Sequence, residues 1–287
     1  MIIIKDILHE IEQLAPLNLQ EDYDNAGIQI GDIDQPASGA LVCLDITEAV
    51  IDEAIAAGCN LIIAHHPLAF RPFKSLTGKN YIERCMIKAC QNDIVIYAAH
   101  TNLDNAVGGI NYQLAELFGL DDVRILSPQK NKLYELFAQV DGRAAEQLLK
   151  TLLNEKNWKH SGSGIIGKLP EEKDERVFLQ HIKDVLHVDC LRHSSLTGRP
   201  IRTVAIGSGN GAFLLSQAIA AGADIFITGE AKYNDFYDVE NMILLAVTGH
   251  YESEICAKDI FFHLLSKKFP TFAVQNSIVN SNPIKYF

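Results

Sequence analysis

The sequence predicts an α/β protein made of two pseudo-duplicated α/β halves with mostly parallel sheets. Short, almost wholly apolar runs at 40–44, 61–64 and 94–98 are each followed by a polar turn and then a helical stretch, as parallel strands covered on both faces require. The same order returns at 204–206, 225–227 and 243–247. A chain of 287 residues is ample for one large α/β unit or for two halves sharing a core. No residue-level repeat accompanies the pattern, so duplication is read from architecture alone.

Ahead of the first strand, Ile3, Ile7, Leu8, Ile11 and Leu14 recur at helical spacing, predicting an amphipathic helix over 3–15 that Pro16 ends. Asp24-Asn25-Ala26-Gly27, with Gly31 beyond it, reads as a turn-rich loop, because Asn and Gly tolerate left-handed backbone. The stretch 128–200 is more polar and less regular, with a strand expected at 133–140 and a helix at 143–153. The expected organisation is therefore an N-terminal α/β half (1–127), a connecting and outer segment (128–200) and a C-terminal α/β half (201–287).

Composition excludes several classes of function. With 36 acidic against 25 basic residues and a formal charge of -11, the surface repels phosphate backbones, and nucleic-acid binding is not expected. The six cysteines form no C-x-x-C pair and several sit inside apolar runs. They read as small hydrophobes in a reduced, intracellular setting, and a cytoplasmic location is expected. Charges interrupt the apolar start too early for a secretory signal, and no stretch reaches the length of a membrane span.

Ligands of open α/β sheets bind beyond the carboxyl ends of the strands, and there the ionisable residues concentrate. His65-His66-Pro67-Leu68 follows the strand at 61–64, and His100-Thr101-Asn102-Leu103-Asp104 follows that at 94–98. Gly249-His250-Tyr251-Glu252-Ser253-Glu254 follows the strand at 243–247 and leads into a helix. His250 and Glu254 are one helical turn apart and can meet one centre. Adjacent residues of an extended chain point opposite ways, so His65 and His66 serve one ion poorly. Two ions about 3.5 to 4 Å apart, bridged by a carboxylate, would let each take its own. A single histidine at a strand tip is more often an ordinary hydrogen-bonded residue than a ligand. Three strand tips carrying these residue types together favour a metal site.

Other positions are read more simply. His100 is expected to orient Asp104 or another ligand, and Asp45 to cap the helix that starts near Thr47 in preference to its other reading, helping the site. Gly207-Ser208-Gly209-Asn210-Gly211, between a strand and a helix, could cradle an anion on its backbone amides or serve only tight packing. Thr228-Gly229-Glu230, with Lys232, ends another strand.

Taken in order, Asp24-Asn25-Ala-Gly, His-His-Pro-Leu at 65–68, His-Thr-Asn-Leu-Asp at 100–104, Gly-Ser-Gly at 207–209, Thr-Gly-Glu at 228–230 and Gly-His-Tyr-Glu-Ser-Glu at 249–254 resemble the Nif-three-like dinuclear metal-centre proteins. These hexameric proteins are commonly described as GTP cyclohydrolase 1 type 2 homologues. The resemblance implies metal ligands at His65, His66, Asp104, His250 and Glu254, with Glu254 bridging. It also implies two halves facing a shared metal-containing cleft, and assembly into a toroidal homohexamer. Tyr23 stands where the family often carries Trp.

The activity implied is metal-dependent hydrolysis, with GTP or another nucleotide or small molecule as substrate. Glu230 and His100 are candidates for proton transfer, with no catalytic residue assigned. The alternative is a non-catalytic metal carrier or a regulatory or interaction protein, which the same ligands would serve. An imidazole and carboxylate donor set without thiolate is compatible with Zn, Mn, Fe, Co or Ni, two ions per subunit.

Overall fold

The computed structural model describes residues 2–72, 74–128 and 161–287. The strand expected at 133–140 and the helix expected at 143–153 lie outside the described residues. The chain divides into two compact units, one formed by the residues up to Leu103 together with Glu254–Phe287, the other by Asp104–Ser253.

In the first unit, helix α1 (Ile4–Leu14) buries Ile4, Ile7, Leu8 and Ile11 on one stripe and stops before Pro16. Strand β1 (Gly27–Ile30) is followed by β2 (Ala40–Cys43), helix α2 (Glu48–Ala56), β3 (Leu61–Ala64), helix α3 (Tyr81–Gln91) and β4 (Val95–Ala98). Every residue of β2, β3 and β4 is buried, as their unbroken apolar runs require. These three strands are parallel, with Cys43 opposite Ala64 and Ala64 opposite Ala98. Thr47 caps α2 and Asn80 caps α3, each side chain accepting from a backbone amide three residues on. A single-turn helix, α4 (Thr101–Asp104), leads out of the unit.

The second unit starts with helix α5 (Ile110–Leu117) and strands β5 (Asp121–Pro128) and β6 (Gly162–Lys173). Helix α6 (Glu175–Leu186), the short strand β7 (Arg192–His193), β8 (Ile201–Gly207), helix α7 (Leu215–Ala220), β9 (Ile225–Thr228), the one-turn helix α8 (Asp235–Asp238) and β10 (Leu244–Val247) follow. The sheet order is β5-β6-β8-β9-β10-β7, with β8, β9 and β10 parallel at its centre and antiparallel pairings on both sides. Helix α9 (His250–Glu254) carries the chain back to the first unit, where α10 (Ala257–Lys268) and β11 (Val274–Asn276) complete it. β11 lies parallel to β2, giving the order β1-β4-β3-β2-β11.

The α/β class and the six expected parallel strands are observed. Their grouping departs from the linear division at 127 and 200. β11 pairs in the first sheet although it lies near the C-terminus, and β6, placed by sequence in a connecting segment, is an inner strand of the second sheet. Gly162, Gly164 and Gly167 interrupt the apolar alternation of β6 and hide it. At Gly164, a Cβ would lie 2.8 Å from the Ile206 carbonyl oxygen, so the close approach of β8 requires glycine. Residues 27–30, read as part of a turn-rich loop, form the antiparallel edge strand β1, whose register shifts between Ile28 and Ile30.

Candidate metal centre

In the first unit the carboxyl ends of the parallel strands form one cluster. The register that sets Cys43 beside Ala64 and Ala64 beside Ala98 puts Asp45, His66 and His100 at one level, each two residues past its pair. His65 is fully buried. Its Nδ1 lies 2.8 Å from the Ala99 carbonyl oxygen, to which it donates, so Nε2 keeps its lone pair. That Nε2 lies 3.7 Å from Glu254 Oε2. Burial drives the His65 ring down to about 4, against the opposing pull of Glu254, so it is neutral at physiological pH.

His66 has the opposite electrostatics. Its Nδ1 stands 2.7 Å from Asp45 Oδ1 and its Nε2 2.9 Å from Glu254 Oε2. Burial alone would lower its pKa, but the two carboxylates outweigh burial and push it up to about 10. Asp45 is held below the usual carboxylate range despite burial, by His66 and by the hydroxyl of Ser281, which donates to Oδ2 at 2.7 Å.

His100 completes the cluster. Its Nδ1 is 2.7 Å from Asp24 Oδ1, and its ring centroid lies 5.2 Å from that of His65 and 5.4 Å from that of His66, while those two are 4.8 Å apart. The three imidazoles can each present one nitrogen such that all lie within 4.8 Å of one another. Burial would raise the Asp24 carboxyl, but His100, the Thr101 hydroxyl and the Asn25 amide hold it at about 2.

Asp104 and His250 belong to the second unit. There the Asn111 side-chain amide donates to the Asp104 carbonyl at 3.0 Å, and the Ser208 hydroxyl is 3.4 Å from Asp104 Oδ1. His250 opens α9, with Glu254 one turn later in the same helix, and its Nδ1 is 3.0 Å from Glu230 Oε1.

Several expectations are corrected. His65 and His66 do not point opposite ways: the chain bends as it leaves β3, and both Nε2 atoms approach the same oxygen of Glu254. Asp45 does not cap α2, because Thr47 does, and Asp45 instead holds His66. His100 is itself oriented by Asp24 through Nδ1, a contact the sequence did not suggest. Glu230 accepts from His250, as a support for that ring. In the glycine-rich segment at 207–211 the Ser208 amide donates to Asn111 Oδ1 at 3.0 Å and the Gly209 amide to Ser253 Oγ at 2.9 Å, so these two amides are engaged within the protein. A Cβ at Gly229 would lie 2.7 Å from the Gly209 carbonyl oxygen and 2.6 Å from Ser253 Oγ. Gly229→Ala is therefore expected to destabilise the protein by about 1–3 kcal/mol, read from the urea midpoint.

The donor set fits a divalent ion. Ligating histidines donate their second ring nitrogen to a carboxylate or carbonyl, and His65, His66, His100 and His250 each place Nδ1 on such an oxygen. In all four, Nε2 is the ring nitrogen that could meet an ion. For His66 this has a measurable consequence. Its Nε2 proton must leave before an ion can bind, whereas His65 is already neutral. We expect release of about one proton per chain at pH 7.5, measured by calorimetry in buffers of different ionisation enthalpy, with affinity still rising above pH 7. In the metal-free protein the His66 contribution to stability is complete below about 6.5 and fades as pH rises towards about 10. In the opposite direction, the unfolded chain protonates His65 as pH falls from 6.5 towards about 4, and the Asp24 contribution fades from 3.8 towards about 2. Stability of the metal-free protein is thus expected to decline on both sides of neutrality, as thermal midpoints across that range would show.

Fold and cluster together define an α/β protein with an imidazole and carboxylate cluster that could hold a metal ion. The chain belongs to the Duf34/NIF3 (NGG1p interacting factor 3) family, whose model matches residues 2–283. It is 28% identical over 291 residues to a Clostridium acetobutylicum protein called GTP cyclohydrolase 1 type 2 homolog, covering 99% of this chain and 98% of that one. A Clostridium perfringens protein of the same name is 33% identical over 252 residues, covering 88% of this chain and 86% of that one. Among solved structures, a Staphylococcus aureus hypothetical protein matches with a TM-score of 0.85 at 30% identity, covering 99% of both chains. A Bacillus cereus protein related to NIF3 has the same fold, with a TM-score of 0.85 at 24% identity over 100% of this chain and 99% of that one.

Proposed function

We propose that this chain is a metal-dependent hydrolase that holds two divalent ions through His65, His66, Asp104, His250 and Glu254. The observation that carries the reading is the uniform polarity of the histidines: each Nδ1 is engaged by an oxygen acceptor, so each Nε2 is the donor atom. Bound divalent ions would supply Lewis acidity and bring the pKa of water towards neutrality. The protein's own part is to fix the rings, keep His65 neutral and hold the Glu254 carboxylate in a buried setting. Five protein ligands shared by two ions leave coordination positions for a substrate. The relatives' name, GTP cyclohydrolase 1 type 2 homolog, makes GTP the first compound to try. Assembly as a toroidal homohexamer and residence in the cytoplasm are parts of the same proposal.

The test is turnover by the metal-loaded protein of GTP and of a panel of phosphoesters and amides, beside His65→Ala. Turnover that needs metal and disappears in the variant supports hydrolysis. Ion binding with no turnover across the panel contradicts it and favours a carrier or regulatory protein.

A further inference from the structure

We propose that Asp24 is a positioning residue for the metal centre, its carboxylate holding the His100 ring so that Nε2 joins those of His65 and His66 at an ion. The proposal rests on the metal-centre reading above and adds to it a residue that the ligand set does not contain. The Asp24 side chain is completely buried, and both its oxygens are engaged by donors. Oδ1 accepts from His100 Nδ1 at 2.7 Å and from the Asn25 amide at 2.7 Å. Oδ2 accepts from the Thr101 amide at 3.0 Å and from the Thr101 hydroxyl. Thr101 Oγ1 in turn accepts from the Glu21 amide at 2.9 Å, which directs its own proton to Asp24.

Each carboxylate oxygen therefore faces a backbone N–H. An asparagine here would have to turn its NH2 group towards one of them, whichever way it flipped, and two donors would collide. Only a carboxylate satisfies this arrangement and still accepts from His100. Because the acceptor is fixed, His100 carries a proton on Nδ1, which leaves Nε2 as the ring nitrogen that could meet an ion. The neighbouring Asn25 extends the effect, its side chain donating to the Ala69 carbonyl at 2.6 Å and so tying down the segment that follows His65 and His66. The Phe70 ring stands edge-on to His100, its centroid 5.4 Å away.

Zinc affinity, by chelator competition, is to be measured for the full chain, Asp24→Asn, His100→Gln and the double variant, with thermal midpoints of the metal-free proteins. We expect Asp24→Asn to weaken zinc binding by about 10–100-fold, as loss of a ligand's support does. In the His100→Gln background the same change is expected to cost less than about twofold, because the two act as one unit. Unaltered affinity in Asp24→Asn, or an equal loss in both backgrounds, would overturn the proposal while leaving the metal centre intact. A wild-type chain that takes up no zinc overturns the metal-centre reading and this proposal with it. Nitrogen NMR of the 15N-histidine-labelled wild-type chain needs no variant to fold: His100 is expected as the Nδ1–H tautomer, and the Nε2–H tautomer would overturn the assignment.

Discussion

Glu254→Ala is expected to abolish stable metal binding, with affinity falling by more than the ~100-fold that loss of a mere supporting residue can cost. Glu254 is buried, and one of its oxygens is 2.9 Å from His66 Nε2 and 3.7 Å from His65 Nε2. In the proposed centre it is the bridge, so both ions depend on it. The metal-free protein is affected too, because truncation removes the carboxylate that stands 2.9 Å from His66 Nε2. Breaking a buried pair in this way costs about 3 kcal/mol, and the His66 pKa is expected to drop from its value of about 10. Glu254→Gln separates charge from shape: it preserves packing yet should bind metal nearly as poorly. Elemental analysis and a urea titration of the metal-free proteins read the two effects separately. Normal metal content in either variant would remove Glu254 from the site.

His250→Ala is expected to halve the metal content from two ions per chain to one. His250 and Glu254 stand at the two ends of α9, one turn apart, and that spacing suits a shared centre. With Glu254 bridging, the other four side chains of the proposed set give each ion two terminal ligands, and His100 would be a third at one of them. Removing His250 leaves one ion with a single terminal ligand and spares the other. The stability cost should be small, because His250 is partly exposed and its ring is supported by the exposed Glu230. A variant that still holds two ions, or that loses both, would show that His250 has a different role.

The parallel strands were the most legible part of the sequence. β3 coincides with its apolar run, β2, β4, β9 and β10 match theirs to within a residue, and β8 extends beyond its run through Arg202 and Thr203; the wholly buried strands have no polar positions to blur them. β1, β6 and β11 were not legible. β1 and β11 are short edge strands, β6 is broken by glycines, and in each case pairing with a distant strand rather than local composition fixes the conformation. Likewise, His65, His66 and Glu254 could be picked out because metal-type residues at strand tips and helical spacing are local patterns. Asp24 could not, and Asp45 reads first as a cap and only second as a helper of the site, since each acts on a histidine 76 or 21 positions away. Strand register was the missing information. Once Cys43 is set beside Ala64, Asp45 falls level with His66, and the helix cap passes to Thr47. The bend after Ala64, which brings neighbouring imidazoles to one carboxylate oxygen, likewise breaks the alternation that a strand pattern assumes.

The most direct test is anomalous diffraction from crystals of the full chain grown with Mn2+ or Zn2+. Two peaks about 3.5 to 4 Å apart, within coordination distance of the Nε2 atoms of His65, His66 and His250 and of the carboxylates of Asp104 and Glu254, are the predicted result. Absence of any peak beside His65 and His66 in protein saturated with metal would contradict the account.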